Sequence, residues 1–334
     1  MPLIKPTGYK PLLGARDTQI AIKAVKDYFE TNLSRELQLT RVSAPLFLPP
    51  ETGLNDDLNG VERAVSFDVG ETGAQMQVVQ SLAKWKRHAL KSYGFSAGEG
   101  LYTDMNAIRR DEICDNLHSL YVDQWDWEKV INKDDRTMHT LRKTARKIFM
   151  VFKMTEKYIQ HLYPQLEPQL PEELTFLTTQ ELEDLYPDLP PKEREREITR
   201  KKRAVFLMKI GGALNSGKPH DGRAPDYDDW ELNGDILFYD ELLDVPFEVS
   251  SMGVRVSEES LREQLAAAGC EDRMKLSYHK DLLAGKLPYT IGGGLGQSRI
   301  CMFLLQKAHI GEVQASVWPD EMREECGEVG IPLL

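Results

Sequence analysis

A glycine-rich stretch near the C-terminal end of the sequence constrains the fold more than any other feature. Residues 291–301 read IGGGLGQSRIC and place four glycines within five positions. The spacing fits neither the dinucleotide fingerprint, which needs a third glycine where Arg299 stands, nor a phosphate loop, which needs Lys followed by Ser or Thr. Glycines on a strand leave a backbone trough for a flat ring, and Arg299 at the next helix start could hold a polyphosphate. A close packing contact between strand and helix is the alternative, and this stretch alone does not decide between them.

Composition and charge restrict the class of protein. The 334 residues, 41% of them hydrophobic, are enough for one large domain or two modest ones. The net charge of −11 argues against a protein built mainly to hold nucleic acid. The sequence has no apolar run long enough to span a membrane, no apolar signal-peptide segment and no CxxC pair among its four cysteines. We therefore expect a cytoplasmic protein with free thiols that contacts neither nucleic acid nor a membrane.

Helical stretches alternate with strands that pair as hairpins. Apolar residues at helical spacing predict a helix over residues 16–39, and a longer helix is expected at about 135–162. Strands are predicted over residues 41–48 and 75–81. The stretches GEGLYTDMNAIRRDE and LHSLYVDQWDWEKV predict an antiparallel pair of strands. Because no repeat or low-complexity linker divides the chain, we predict one domain over residues 1–334, with an α+β fold built on a mainly antiparallel sheet flanked by helices.

Polar side chains recur on neighbouring predicted strands. In VDQWDWE, Gln124 and Asp126 point away from the two tryptophans, and Arg109 ends the paired strand. Exposure to solvent would explain one such strand. A polar floor inside a sheet becomes the better interpretation because the strand at 75–81 and the helix that carries Lys86 add further polar side chains. Several polar strands side by side are costly to cover unless a ligand occupies them.

Two carboxylates on adjacent predicted strands form a candidate metal site. Asp235 lies in NGDILF and Glu248 lies in FEVSS. Magnesium binds one or two carboxylates together with phosphate oxygens and water. An ordinary pair of charges at a sheet edge is the alternative interpretation, and neither carboxylate decides the matter alone.

Several longer runs resemble one known family. The ammonia-dependent asparagine synthetases (aspartate–ammonia ligases, the AsnA family) have segments similar to SLAKWKR, SAGEGLYT, HSLYVDQWDWE, RAPDYDDW, LNGDIL, SSMG and HIGEVQASVWP, and the likeness extends from about residue 16 to 320. The strand that ends in Arg109 and the glycine-rich strand resemble motifs 2 and 3 of class II aminoacyl-tRNA synthetase catalytic domains. The resemblance implies a class II aminoacyl-tRNA synthetase-like fold. It also implies that L-aspartate, ATP and ammonia give L-asparagine, AMP and pyrophosphate through a β-aspartyl-adenylate.

The resemblance implies roles in nucleotide binding for residues already singled out. Arg109 would stabilise the charge that builds on the α-phosphate, and Arg299 would hold the bent triphosphate. Asp235 and Glu248 would bind Mg²⁺ against the leaving pyrophosphate. The ATP-binding set is Arg109, Asp111, Gly292, Gly293, Gly294, Gly296 and Arg299.

The resemblance also implies a site for aspartate and ammonia. An α-ammonium needs a carboxylate, and an α-carboxylate needs a cation. The expected substrate-binding set is Ser81, Lys86, Gln124, Asp126, Arg223, Ser250, Ser251 and Arg255. Lys86 could instead orient the β-carboxylate or the phosphate, which would make it catalytic together with Arg109. Either Asp56 or Asp228 would take the proton that ammonium loses before it attacks.

The nitrogen donor and the oligomeric state are two further expectations. Glutamine-dependent amidation needs a nucleophilic cysteine at a processed N-terminus or in a Cys–His–Glu triad. Position 2 is Pro2 and no cysteine lies in a small-residue elbow, so free ammonia is the expected donor. Because class II folds pair through their first long helix and strand, the helix at 16–39 and the strand at 41–48 predict a homodimer.

Two other functions compete with the ligase. An aminoacyl-tRNA synthetase would normally add an anticodon-binding domain with a basic face, and this acidic chain leaves no room for one. A non-catalytic regulator with the same fold would normally lose a phosphate-binding arginine or a metal-binding carboxylate. Arg109, Arg299, Asp235 and Glu248 are all present, so the ligase is the favoured interpretation.

Overall fold

Helices and strands alternate along the computed structural model, which describes residues 3–56 and 62–334. The helices of these residues are α1 (Ala15–Leu37), α2 (Ala83–Ser92), α3 (Met138–Leu162), α4 (Thr179–Leu185), α5 (Pro191–Lys202), α6 (Glu258–Ala267), α7 (Ser277–Leu283), α8 (Gln297–Leu304) and α9 (Asp320–Glu328). The strands are β1 (Leu39–Arg41), β2 (Phe47–Leu48), β3 (Ser66–Asp68), β4 (Gln75–Val78), β5 (Gly100–Ile108), β6 (Tyr121–Val130), β7 (Thr175–Thr178), β8 (Ala204–Met208), β9 (Asp228–Asp240), β10 (Val245–Arg255) and β11 (Thr290–Gly296). None of the helices in these ranges has both the length and the apolar surface that a membrane crossing requires.

One large sheet forms the centre of the fold. Its strands follow the order β1-β5-β6-β11-β10-β9-β8-β7. Neighbouring strands run antiparallel except at the two edges, where β1 pairs with β5 and β7 pairs with β8 in parallel. The short strands β2, β4 and β3 form a separate sheet. The mainly antiparallel α+β fold predicted from the sequence is therefore confirmed.

One face of the large sheet is covered by α1, α3 and α8. The buried residues of α1 include Val25, Phe29 and Leu33, which repeat every four positions and so share one face of the helix. Phe29 stacks on Trp125 of β6, with 5.2 Å between the ring centroids. Burial of one such side chain contributes about 1.5–3 kcal/mol. This packing buries one side of the sheet in the main core; the opposite side carries smaller apolar clusters under α2, α4 and α5 as well as the polar groups of β6.

The long predicted elements agree with the structure, and two short ones do not. The helices expected at 16–39 and 135–162 are α1 and α3, and the expected hairpin is the antiparallel pair of β5 and β6. The single strand expected at 41–48 is wrong, because its two ends belong to β1 and β2 in different sheets. The strand expected at 75–81 is β4, which lies in the small sheet and not beside the polar strands. Long-range pairing, which strand propensity does not encode, decides both cases.

The strand β6 alternates as the sequence predicts. Trp125 and Trp127 are buried in the core, whereas Gln124 and Asp126 reach the opposite face of the sheet. Because successive side chains point to opposite faces, this one strand contributes both to the core and to a polar surface.

The glycines of β11 make room for side chains of the neighbouring strand. A Cβ at Gly292 would overlap the Glu128 carboxylate of β6 and would lie 2.7 Å from Arg255 Nη2. A Cβ at Gly294 would lie 2.5 Å from Gln124 Oε1. The space at Gly292 therefore belongs to an ion pair, which corrects the predicted trough for a flat ring at that position.

Replacement of Gly292 by alanine should destabilise the protein by at least about 3 kcal/mol, because the new methyl group overpacks the strand and separates a buried ion pair. The matched control is Gly212→Ala, since a Cβ at Gly212 has open space around it. Chemical denaturation gives the free energy of unfolding of both variants. Equal values would show that Glu128 moves aside at little cost, in contradiction to this explanation of Gly292.

Candidate active site

A cleft of about 520 Å³ opens on the side of the large sheet opposite the core tryptophans. Its volume lies in the range typical of small-molecule sites. Strands β6, β10 and β11 form its floor, and the segment after β5 forms part of its wall. The predicted residues that line it are Ser81, Arg109, Asp111, Gln124, Asp126, Asp228, Glu248, Ser250, Ser251, Arg255, Gly293, Gly294, Gly296 and Arg299. Most of the residues chosen from the sequence therefore meet in one place.

Five predicted residues are not part of the cleft lining. Four of them, Lys86, Arg223, Asp235 and Gly292, contact or directly adjoin residues that line it. Asp56 is buried and lies within electrostatic range of Arg109. The predicted site is thus divided into groups that face the cleft and groups that support them.

Arg109 and Arg299 line the same cleft although they come from distant parts of the chain. Arg109 directly follows β5, and its Nη1 has no hydrogen-bond partner within residues 3–56 and 62–334. Arg299 lies in the first turn of α8, where its Nη1 donates a 3.0 Å hydrogen bond to the Glu248 carbonyl oxygen. Burial lowers the pKa of Arg109 despite the nearby Asp56 carboxylate. Two guanidinium groups on one cleft suit a polyanionic ligand.

The start of α8 is fixed by Asp123 of β6. The Asp123 carboxylate accepts hydrogen bonds from the Ser298 backbone nitrogen at 3.0 Å and from Ser298 Oγ at 2.8 Å. Lys26 of α1 donates to the same carboxylate at 3.0 Å. A carboxylate at the first turn of a helix is favoured by the helix dipole. These bonds place Arg299, the next residue, at the cleft.

Charges of alternating sign lie in the cleft lining and directly next to it. Arg255 donates from Nε to Glu128 Oε1 at 2.9 Å and from Nη2 to Glu128 Oε2 at 2.7 Å. Its Nη1 donates to Asp228 of β9. Burial raises the pKa of Glu128, but Arg255 and Lys86 outweigh burial and hold that pKa below its usual value. The ion pair of Glu128 and Arg255, which Gly292 makes room for, therefore stays charged inside the protein.

Arg223 extends this series of ion pairs. Its Nε donates to Asp228 Oδ2 at 3.0 Å, and its Nη1 donates to Asp235 Oδ1 at 3.0 Å. Both oxygens of Asp228 therefore already accept hydrogen bonds from arginines, since Arg255 binds the other one. This geometry does not support Asp228 as the proton acceptor or Arg223 as a direct substrate contact. Both residues hold the wall and floor of the cleft in place.

Lys86 of α2 lies on the same side of the sheet as the Asp126 carboxylate but is not part of the cleft lining. Its Nζ donates to the Asp126 carboxylate, to the Trp127 carbonyl oxygen at 2.9 Å and to the Gly293 carbonyl oxygen at 3.2 Å. These bonds use all three hydrogens of the ammonium group. The side chain is fully buried, and burial lowers its pKa. Because its donors are all taken by the protein, Lys86 orients the Asp126 carboxylate, and its predicted contact with substrate stays a prediction.

Asp235 and Glu248, the predicted magnesium ligands, lie close enough for their charges to interact. They lie on the paired strands β9 and β10, and Glu248 lines the cleft. Burial raises the pKa of Asp235 to about 7; Arg223 opposes this rise and Glu248 adds to it. The described residues hold no cluster of three or more His, Cys, Asp or Glu. Magnesium needs only one or two carboxylates when phosphate oxygens and water complete its shell, so this pair is sufficient.

His118 and Tyr227 are among the lining residues that were not predicted from the sequence. His118 Nδ1 lies 2.9 Å from Asp115 Oδ1, which also accepts a hydrogen bond from the His118 backbone nitrogen. The Arg255 guanidinium lies 5.7 Å from the centroid of the Tyr227 ring. His118 lies in the run HSLYVDQWDWE, and Tyr227 lies in the run RAPDYDDW. The polar aromatic side chains of these runs are the sequence signal that identifies them as candidates.

Solved structures define the class of protein to which this fold belongs. The asparaginyl-tRNA synthetase of Pyrococcus horikoshii, complexed with asparaginyl-adenylate, is similar with a TM-score of 0.65 and 15% identity, over 91% of this chain and 70% of that chain. An asparaginyl-tRNA synthetase of Entamoeba histolytica is similar with a TM-score of 0.61 and 14% identity, over 90% of this chain and 66% of that chain. At such identities the likeness shows the fold alone. The fold is that of the class II aminoacyl-tRNA synthetases.

Sequence comparison narrows this class to one family. The family model of AsnA, aspartate-ammonia ligase, matches residues 16–330. The aspartate–ammonia ligases of Ruminiclostridium cellulolyticum and Clostridium perfringens are 66% and 61% identical over 333 residues, which is 99% of this chain and 99% of each relative. The ligase of Lactobacillus johnsonii is 60% identical over the full length of both chains. The chain belongs to the aspartate–ammonia ligase family.

The repulsion between Asp235 and Glu248 gives a prediction about pH. In the absence of nucleotide and divalent ions, Glu248→Gln should lower the pKa of Asp235 from about 7 towards its ordinary value of 3.8. The matched control is Glu231→Gln, an exposed carboxylate of β9 that pairs with Lys209. Carboxyl chemical shifts of ¹³C-labelled aspartate, assigned with Asp235→Asn, report the titration.

The same titration affects stability with a defined sign. Because the folded protein holds the Asp235 proton more tightly than the unfolded chain does, stability falls as pH rises from about 4 to about 7. The loss is at most about 4 kcal/mol, and Glu248→Gln should reduce it. An unchanged titration of Asp235 in Glu248→Gln would contradict the proximity of the two carboxylates.

Proposed function

We propose that this protein makes L-asparagine from L-aspartate, ATP and ammonia through a β-aspartyl-adenylate, with release of AMP and pyrophosphate. The observation that carries the proposal is the position of Arg109 and Arg299 on one cleft that also contains Asp126. Two guanidinium groups can hold a polyphosphate, and a carboxylate can hold an α-ammonium. A site that holds both ligands at once brings the reacting atoms together.

Arg109 is proposed to act on the α-phosphate. Attack by a β-carboxylate oxygen of aspartate on the α-phosphorus builds negative charge on the phosphate oxygens. A guanidinium fixed at the end of β5 stabilises that charge without having to reorganise, and Nη1 of Arg109, unpartnered in the described part of the chain, is a donor for one of those oxygens. Arg299 would hold the terminal phosphates and then the leaving pyrophosphate.

Asp126 is proposed to bind the α-ammonium of aspartate. Asp126 lines the cleft, and its carboxylate is held by Lys86. Gln124 and Ser81 share the same lining and can accept further hydrogen bonds. Arg255 is the candidate for the α-carboxylate, because each of its Nη atoms carries a second hydrogen beyond those donated to Glu128 and Asp228.

Asp235 and Glu248 are proposed to hold Mg²⁺ beside the phosphates. A magnesium ion at this place supplies positive charge that stabilises the leaving pyrophosphate. Arg223 holds Asp235 at 3.0 Å, and the Arg299 hydrogen bond holds the backbone at Glu248. The phosphate-binding arginine and the two carboxylates are thereby kept in one arrangement.

Asp56 is proposed to take the proton from ammonium, because both oxygens of Asp228 are already bound to arginines. Asp56 is buried and lies within electrostatic range of Arg109 and Tyr227. Ammonium has no lone pair until it loses a proton, so a carboxylate near the acyl carbon is needed as a base.

Transfer of the amino acid to tRNA is the competing function, since solved synthetases share the fold. The match to aspartate–ammonia ligases over nearly the whole chain favours ammonia as the acceptor. Steady charging of tRNA with aspartate or asparagine, in a preparation that forms no asparagine from ammonium, would favour the competing function instead.

Asparagine and AMP should form in equal amounts from aspartate, ATP, magnesium and ammonium, and Arg109→Ala should lower kcat on the order of 10²–10³-fold. The loss corresponds to about 3–4 kcal/mol, as for one oxyanion donor. The matched control is Arg262→Ala, an exposed arginine of α6 away from the cleft. Chromatographic quantification of asparagine and AMP measures both. A rate for Arg109→Ala within about threefold of the wild type would refute this role.

We also propose that the protein is a homodimer that pairs through α1. Ile20 of α1 is 55% exposed in the single chain, and an exposed isoleucine on a long helix fits a contact with a second copy. Mass measurement in solution at micromolar concentration should give twice the 38.1 kDa of one chain. Ile20→Glu should shift the mass towards the monomer, whereas Leu185→Glu, at an equally exposed position of α4, should not. A monomeric wild-type protein would contradict this proposal.

A further inference from the structure

A buried cluster of charges beside the cleft joins three separate elements. Asp226 Oδ2 accepts hydrogen bonds from Lys84 Nζ of α2 at 3.2 Å and from Arg273 Nη1 at 3.1 Å, and it lies 3.0 Å from His279 Nε2 of α7. Lys84, Asp226 and His279 are almost completely buried. Within the described residues, none of these four belongs to the cleft lining. A buried carboxylate is costly unless it is paired, so the cluster holds these elements in fixed positions.

The cluster fixes a wall of the cleft through the residue that follows it. Tyr227 lines the cleft and is joined to Asp226 by one peptide bond. Its ring faces the Arg255 guanidinium, with 5.7 Å between the carbon of that group and the ring centroid. A displacement of Asp226 would therefore move the Tyr227 ring within the cleft.

Lys84 also lies within electrostatic range of the Asp56 carboxylate. Burial lowers the pKa of Lys84, but Asp226 and Asp56 outweigh burial and raise that pKa above its ordinary value. Lys84 is therefore cationic at neutral pH and attracts both carboxylates. The backbone of Asp56 is held from the same side, since Gln80 Nε2 donates a 3.1 Å hydrogen bond to the Asp56 carbonyl oxygen. Residues 80–84 thus contact both Asp56 and Asp226, the residue that precedes Tyr227.

We propose that Lys84 is a positioning residue for the attacking amine. It holds Asp56 through its charge and Tyr227 through Asp226, at the place where ammonium gives up its proton. This inference rests on the proposed function. In that step ammonium transfers one proton to the Asp56 carboxylate, and the nitrogen lone pair forms the C–N bond to the acyl carbon of the adenylate. The C–O bond to AMP breaks, AMP leaves with that electron pair, and the amide nitrogen releases a second proton to solvent.

Loss of Lys84 should impair the second half of the reaction and spare the first. The described contacts of the cluster reach neither Arg299 nor Glu248, which serve the phosphates. Hydroxylamine separates the two halves, because it is mostly neutral at pH 7 and attacks an acyl-adenylate without first giving up a proton to a base. A defect confined to ammonium therefore differs from a general loss of structure.

The experiment compares Lys84→Met with Lys153→Met, another buried lysine, which pairs with Glu172 away from the cleft. Three rates are measured at pH 7: aspartate-dependent exchange of pyrophosphate into ATP, asparagine formation from ammonium, and aspartyl hydroxamate formation from hydroxylamine. For Lys84→Met we expect exchange and hydroxamate formation within about threefold of wild type, and a KM for ammonium at least about tenfold higher. Lys153→Met should leave all three rates near those of the wild type.

The outcomes are decisive in either direction. The proposal is overturned if the KM for ammonium stays at the wild-type value, or if exchange and hydroxamate formation fall as much as asparagine formation. Asp226→Asn, which keeps the shape of the side chain and weakens all three pairs, should give the same pattern and serves if Lys84→Met does not fold. Failure of the proposed function itself would be seen in the wild-type protein, which would then form no asparagine.

Discussion

The ion pair between Glu128 and Arg255 is the interaction on which the rest of the site depends. Both groups are buried, Arg255 as part of the cleft lining, and an unpaired charge there would cost several kcal/mol. Gly292 leaves the space for this pair, and Asp228 joins it from the next strand. Three strands with polar faces can lie side by side because each buried charge meets its opposite. Arg223 then extends the same pairing towards Asp235, so one connected network underlies most of the cleft.

This network explains how one side of a sheet can bind two unlike ligands. The supporting residues are paired with buried groups of opposite charge, whereas Arg109, Arg299 and Asp126 line the cleft. Groups held in place before the ligand arrives stabilise developing charge without reorganisation, which is the main source of electrostatic catalysis. Lys86 is one such supporting residue. Its ammonium group donates all three hydrogens to protein acceptors, and one of these bonds orients the Asp126 carboxylate. One set of residues therefore contacts the ligands, and a neighbouring set holds the first set in position.

Much of the fold and of the cleft lining could be predicted from the sequence. The period of β6 separates its tryptophans from Gln124 and Asp126, and long specific runs identify the family. The complete burial of Lys86 could not be predicted, because the sequence of α2 does not show how closely that helix packs against the sheet. The bonds that Arg223 donates to Asp228 and Asp235 could not be predicted for the same reason. The pairing of β4 with a second sheet depends on distant strands, which local propensity does not encode.

A crystal structure with AMP and asparagine bound tests the central claim most directly. The account requires the phosphate of AMP to lie within hydrogen-bond distance of Arg109, with Arg299 directed at the space beyond it. The α-ammonium of asparagine should contact Asp126, while Glu128 and Arg255 keep their pairing beneath Gly292. A nucleotide bound elsewhere, or a phosphate in contact with neither arginine, would contradict the account.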